Sequence, residues 1–199
     1  VLMVAGLTQA LSLAWPFEGA YKGLPQGWLQ CLSLAMFAGL LDRSVDAKQA
    51  FVKGWLFSWV WLIGCTWWLF ISMHVYGGLS APLAVLAVLA LAAALGIYYA
   101  FAAGLAWRLG TGDGWGRASV FAAVWLLAEL MRGGLFTGFP WGASGYAHVD
   151  GPLAALAPWV GVYGIGFVAA LVAALTAALG CAWIAARGQG PGLRRPAGR

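Results

Sequence analysis

Residues 125–146 read WLLAELMRGGLFTGFPWGASGY, and this stretch decides how the rest of the chain is read. Its first eight residues carry an apolar helix into Glu129 and Arg132, which are three residues apart and so share one helical face. The remainder cannot continue that helix. Gly133 and Gly134 are weak helix formers, and Pro140 lacks the backbone N–H a helix needs. A charged helix end therefore runs into an aromatic Gly/Pro loop, interfacial or re-entrant, and the apolar sequence on either side predicts a membrane around it.

Composition agrees. The chain is 63% hydrophobic and 9% charged over 199 residues, against about 25% charged in an average soluble domain. Thirteen Trp and 29 Gly suit a bilayer, where Trp anchors at interfaces and Gly permits close helix packing. The net charge of +5 raises the question of nucleic acid, but the basic residues are dispersed between apolar segments and form no stripe. Membrane topology accounts for them better. Cys31, Cys65 and Cys181 each lie inside an apolar run without CxxC or His spacing, which reads as buried small hydrophobes rather than a metal site or disulfide.

The chain resolves into six apolar segments, at about residues 1–15, 28–41, 54–73, 83–107, 118–132 and 159–186. The first is short for a span of about 20 residues and has no basic leader before it, which predicts a first helix lacking its start. Residues 42–53 are expected to be a solvated loop, and residues 188–199 a disordered basic tail. Residues 1–187 then form one transmembrane helical domain. With a cytoplasmic N-terminus and six spans, nine basic residues fall inside: Arg43, Lys48, Lys53, Arg108, Arg117, Arg187, Arg194, Arg195 and Arg199. Only Lys22 and Arg132 fall outside, so the positive-inside rule places both ends in the cytoplasm and the loop after Arg132 on the extracytoplasmic side. The expected fold is all-α and integral to the membrane, a bundle of about six transmembrane helices with an extracytoplasmic aromatic Gly/Pro loop.

Glu129 is the only acid within a predicted span. An uncompensated charge there costs roughly 2.5–3.5 kcal/mol on insertion scales. Two readings stand: an ion pair with Arg132 that locks the helix end, or a carboxylate that orients the loop or meets a polar lipid headgroup. Arg132 suits phosphate as well as snorkelling to the interface. The rings of Phe136, Phe139, Trp141 and Tyr146 suit an interfacial belt and an acyl-chain wall equally. His74 and His148 fall in two outer loops and are expected to be exposed interfacial histidines rather than a catalytic pair.

Ordered motifs then add specificity. TGFPW at residues 137–141 is followed by Gly145 and Tyr146, DGPL at 150–153, LAP at 156–158 and GVYGIGF at 161–167. Upstream lie Trp125, Glu129 and Arg132 in a W-x3-E-x2-R spacing, and Trp67, Ser72 and Tyr76-Gly77-Gly78. In these the chain resembles the bacterial apolipoprotein N-acyltransferases, well over about residues 50–180 and loosely before. The resemblance implies an inner-membrane protein whose family has eight transmembrane helices and an extracytoplasmic nitrilase-like domain between the last two. It implies a ping-pong transfer of an acyl chain from a phospholipid to the α-amino group of a diacylated lipoprotein cysteine, with a Cys nucleophile aided by Glu and Lys and with no metal or organic cofactor. That catalytic set has no counterpart here, so no catalytic residue is assigned in this chain and neither Cys65 nor Cys181 is promoted to fill it. The chain is expected to be the membrane part, truncated at both ends relative to the family and inactive alone. Trp125, Glu129, Arg132, Phe139, Pro140, Trp141 and Tyr146 carry over as candidates facing substrate or lipid. The expected partners are a phospholipid acyl donor, a diacylated lipoprotein acceptor and the membrane, without nucleic acid. A non-enzymatic lipid-binding anchor or partner subunit is the alternative. A small channel or transporter fits less well, because the charged residues sit near span ends.

Overall fold

The computed structural model describes residues 1–112 and 114–188. The expected disordered tail falls, beyond Gly188, outside the described residues. Seven α-helices run α1 Leu2–Leu13, α2 Gly27–Leu41, α3 Ala47–Thr66, α4 Trp68–Ile71, α5 Ala81–Leu109, α6 Gly114–Gly134 and α7 Ala157–Gly188. A π-helical turn, Ser72–Tyr76, follows α4, and 3-10 turns at Leu135–Thr137, Ser144–His148 and Pro152–Leu156 fill the connection between α6 and α7. No strand occurs among the described residues.

Among the described residues, three helices are long and apolar enough to cross a membrane: Ala81–Leu109, Gly114–Thr137 and Pro152–Ile184. Ala47–Thr66 with Trp68–Tyr76 makes a fourth only if the pair, bent by 47°, is one span. The expectation of about six transmembrane helices is therefore supported for these three, or four with the bent pair, and not for the full number. At 1.5 Å per residue the 15 residues of α2 reach only about 22 Å, short of a hydrocarbon core of about 30 Å. The unbroken third segment is corrected as well, since the helix bends at Trp67 and tightens into the π turn.

The loop expected at residues 42–53 is shorter than its charges suggested. Asp46 Oδ1 accepts from the Gln49 N–H at 2.6 Å and Gln49 Oε1 accepts from the Val45 N–H at 3.0 Å, so α3 starts at Ala47 and carries Lys48 and Lys53 on its first two turns. An acid followed three residues later by Gln, just before an apolar run, is the sequence mark of such a start.

The helices alternate in direction across the bundle. Asp42, after α2, pairs with Arg117 at the start of α6, and Trp107 near the end of α5 donates its indole N–H to the Ser44 carbonyl at 3.0 Å. At the other end, the Ser144–His148 turn packs on α1, α2 and α7. Between the ends, α3 and α5 form the closest pair. A Cβ on Gly54 would lie 2.5 Å from Ala103 Cβ and 2.7 Å from the Tyr99 carbonyl oxygen, so only a bare backbone fits. Two tryptophans of α3 find polar partners in this contact: Trp55 and Trp59 donate to the Ala93 and Leu89 carbonyls, each at 3.0 Å.

The core is a column of stacked and edge-packed rings. Phe37 stacks on Phe57 with centroids 4.2 Å apart, Trp61 on Trp125 at 5.6 Å, and Tyr99 meets both tryptophans at 5.0 Å. Around it, Ala100, Ala122, Ala169 and Ala170 are fully buried and let the helices close on the rings. The cysteines are not all buried as expected. Cys31 and Cys65 are half-buried and Cys181 is exposed on α7, an apolar thiol on an outward helix face.

Candidate functional site

The site is built on the last two turns of α6. Glu129 and Arg132 are 0% and 1% exposed, and their facing atoms, Oε1 and Nη2, are 4.0 Å apart. That separation is too long for a hydrogen bond, and both groups direct their bonding to the loop that follows.

Arg132 holds the first part of that loop. Its Nη1 donates to the carbonyls of Phe139 at 2.6 Å and Trp141 at 2.7 Å, and its Nε donates to the Tyr99 hydroxyl on α5 at 2.9 Å. The Arg132 carbonyl, left free at the helix end, accepts from the Phe139 N–H at 2.7 Å. Closing the chain on itself this tightly needs unusual backbone. Phe136, Thr137 and Gly138 have φ of +50°, +75° and +78°, and two of the three are non-glycine residues in the left-handed region, which costs of order 1–3 kcal/mol each. The result leaves the Phe136 ring 91% exposed.

Glu129 holds the second part. Oε1 accepts from the Ser144 N–H at 2.7 Å and Oε2 from the Ser144 hydroxyl at 2.8 Å. Ser144 also accepts from the Trp125 indole N–H at 3.1 Å, and its carbonyl accepts from the Gln30 amide Nε2 at 2.5 Å. Because Nε2 of Gln30 donates there, its Oε1 must be the acceptor for His148 Nε2 at 2.8 Å, which places the imidazole hydrogen on Nε2. Burial of that ring pushes the His148 pKa below its ordinary value. His148 is thus a buried member of a network, not the exposed interfacial histidine expected. His74 stays half-buried in the π turn, its Nδ1 2.7 Å from the Leu79 carbonyl oxygen, and takes no part in this network.

Two glycines make the approach possible. A Cβ on Gly166 of α7 would lie 2.6 Å from Ser144 Oγ and 2.8 Å from Glu129 Oε2, and one on Gly27 of α2 2.5 Å from His148 Nδ1.

The seven candidates separate into two groups. Trp125, Glu129 and Arg132 lie inside the bundle and act on the loop from beneath. Phe139 is half-buried, while Pro140, Trp141 and Tyr146 are exposed. The Trp141 ring lies 5.1 Å from the Phe139 ring and 6.2 Å from that of Trp68, which joins the loop rim to the bend after α3. Ser144, Gln30 and Tyr99 were not singled out from the sequence. For Gln30 a signal existed, an amide inside an apolar run, which in a membrane protein marks a partnered or functional position. Chemically the arrangement is a clamp: Glu129 holds the Ser144 N–H and hydroxyl with its two oxygens, Arg132 Nη1 holds two loop carbonyls while its Nε is braced by Tyr99, and the loop they fix presents aromatic rings outward.

The family model described as apolipoprotein N-acyltransferase N-terminal domain matches residues 8–175. The apolipoprotein N-acyltransferase of Verminephrobacter eiseniae is 58% identical over 177 residues, covering 87% of this chain and 32% of that protein. That of Ralstonia nicotianae is 47% identical over 154 residues, covering 76% and 29%, and that of Pseudomonas putida 40% over 180 residues, covering 87% and 33%. The chain thus spans about a third of the length of these curated relatives. Matched over most of its length, loop and clamp included, the chain belongs to the apolipoprotein N-acyltransferase family and corresponds to its N-terminal domain.

Proposed function

We propose that this chain is the membrane part of an apolipoprotein N-acyltransferase, and that its clamped loop forms the lipid-facing rim of the acyl-transfer site. In this reading, an acyl chain passes from a phospholipid to the N-terminal amine of a diacylated lipoprotein cysteine. The nucleophile belongs to a nitrilase-like domain outside these 199 residues. The observation that carries the reading is the clamped loop itself: Arg132 and Glu129, both buried, bond to the loop at Phe139, Trp141 and Ser144 while Phe136, Trp141 and Tyr146 face outward. Rings held in place at a membrane interface offer an acyl chain a preformed wall without an ordering cost. The charge distribution favours the extracytoplasmic side of a bacterial inner membrane for the loop, with both chain ends in the cytoplasm.

Two measurements test this. The purified chain, given phospholipid and a diacylated lipopeptide, is expected to show no N-acylation; acylation by it would overturn the assignment of chemistry to another domain. In a full-length enzyme carrying this membrane part, Trp141→Ala is expected to lower acyl transfer at least several-fold with an unchanged amount of folded protein. A parallel loss of folded protein and activity would return Trp141 to a structural role.

A further inference from the structure

The end of the bundle opposite the loop holds a feature that acyl transfer at the loop does not use. Between the first turns of α3 and the last turns of α5 runs a groove of about 390 Å³, walled by Phe51, Phe101 and Leu105, with Lys48 and Arg108 at its rim. The Phe51 and Phe101 rings meet edge to face at 5.2 Å, and Phe101 and Leu105 open outward to the bundle surface. Gly104 forms part of the lining and keeps it deep: a Cβ there would already lie 3.5 Å from the Ala47 carbonyl oxygen and 3.8 Å from Phe51 Cβ.

The two cations distinguish this groove from the neighbouring cavity of about 320 Å³ among α2, α5, α6 and α7. There the cation, Arg117, is already paired with Asp42. Lys48 and Arg108 have neither an ion pair nor a hydrogen bond among the described residues, and the adjacent acid, Asp46, is engaged by the Gln49 N–H. Both cations lie at helix ends, Lys48 at the second position of α3 and Arg108 in the last turn of α5. Apolar walls running into the bundle beneath two unpaired cations at helix ends match one kind of molecule in a membrane: an acyl chain below a phosphodiester.

We propose that this groove binds an anionic glycerophospholipid, one acyl chain lying along Phe51, Phe101 and Leu105 over Gly104 and the headgroup phosphate between Lys48 and Arg108. A zwitterionic headgroup brings its own ammonium to the same rim and loses much of the attraction. The length of α6, about 30 Å, separates this site from the loop, so its lipid is a resident of the other leaflet and not the acyl donor.

Native mass spectrometry of the full chain in detergent, titrated with phosphatidylglycerol or phosphatidylcholine of the same acyl chains, tests the site. One phosphatidylglycerol is expected to be retained at concentrations where phosphatidylcholine is not. Lys48→Gln with Arg108→Gln is expected to weaken retention about thirty-fold. Lys22→Gln with Arg187→Gln, the same change in net charge placed elsewhere, should leave it intact. Gly104→Leu, which fills the groove and keeps both cations, should abolish it. Circular dichroism checks folding, and if the double variant is misfolded the single substitutions carry the test, each expected to lose about fivefold. Equal retention of the two lipids, or equal retention by the two double variants, overturns the proposal.

Discussion

Replacing Arg132 by Met removes the clamp on the first half of the loop while keeping a side chain of similar length. Three hydrogen bonds disappear, to Phe139 and Trp141 carbonyls and to Tyr99, at 2.6, 2.7 and 2.9 Å. Side-chain hydrogen bonds within membranes average about 0.6 kcal/mol each, so three give a lower bound of about 2 kcal/mol. The substitution also leaves Glu129 buried without the guanidinium 4.0 Å away, and breaking a buried charge pair on one side costs about 3–5 kcal/mol. The expected loss is therefore about 2–5 kcal/mol. Its location is the sharper part: amide hydrogen exchange should rise first across residues 139–144, at conditions where the middle of α6 stays protected. Phe139 is the most informative amide, since it donates to the Arg132 carbonyl at 2.7 Å and stays protected only while the loop is folded back. Unchanged protection of the loop, with the loss confined to the end of α6, would refute the clamp and leave Arg132 as a local helix-end partner of Glu129.

Gly166→Ala should destabilise the chain by more than a typical Gly→Ala change in a helix gains, because the added carbon meets Ser144 Oγ and Glu129 Oε2, both fixed by hydrogen bonds; a fall in thermal midpoint in detergent checks this, and an unchanged midpoint argues against it. Ser144→Ala removes the hydroxyl bonds to Glu129 and from Trp125, for an expected loss of about 1–3 kcal/mol, measured by denaturant titration against Ser144→Thr. His148 supplies a pH dependence. Burial lowers its folded pKa, so the unfolded chain binds the proton first: stability is full above the ordinary value of 6.5 and falls as pH drops through it toward the folded pKa. Midpoints measured between pH 7.5 and 5 should show that fall, and His148→Gln should flatten it; an equal slope in the variant places the titration on another group.

Much of the fold was legible in hydropathy and turn chemistry. Apolar runs and the glycine pairs Gly77-Gly78 and Gly133-Gly134 act locally, and helices begin and end near them, whereas the helix start at Asp46 and Gln49 fell inside a stretch read as a loop. Span length was less legible, because α2 is as apolar as the longer helices and only its observed ends show it to be short. The three-residue spacing of Glu129 and Arg132 suggested an ion pair, and the shared face is correct. Each charge nevertheless bonds more closely to the loop, because the chain turns back at Gly138 and brings free carbonyls and an N–H within reach.

The sequence by itself determined an all-helical apolar chain, a break after Arg132 and the family, since these rest on composition, local backbone preference and the order of short motifs. Only the tertiary structure decided what the polar residues do. Gln30 meets the Ser144 carbonyl and His148 across more than a hundred residues, and Trp125 reaches the Ser144 hydroxyl from inside the aromatic column. Most buried polar groups find a partner, but which partner depends on how the helices pack. Close approach at Gly27 and Gly166 settles that packing, where any side chain would hold the helices and loop apart.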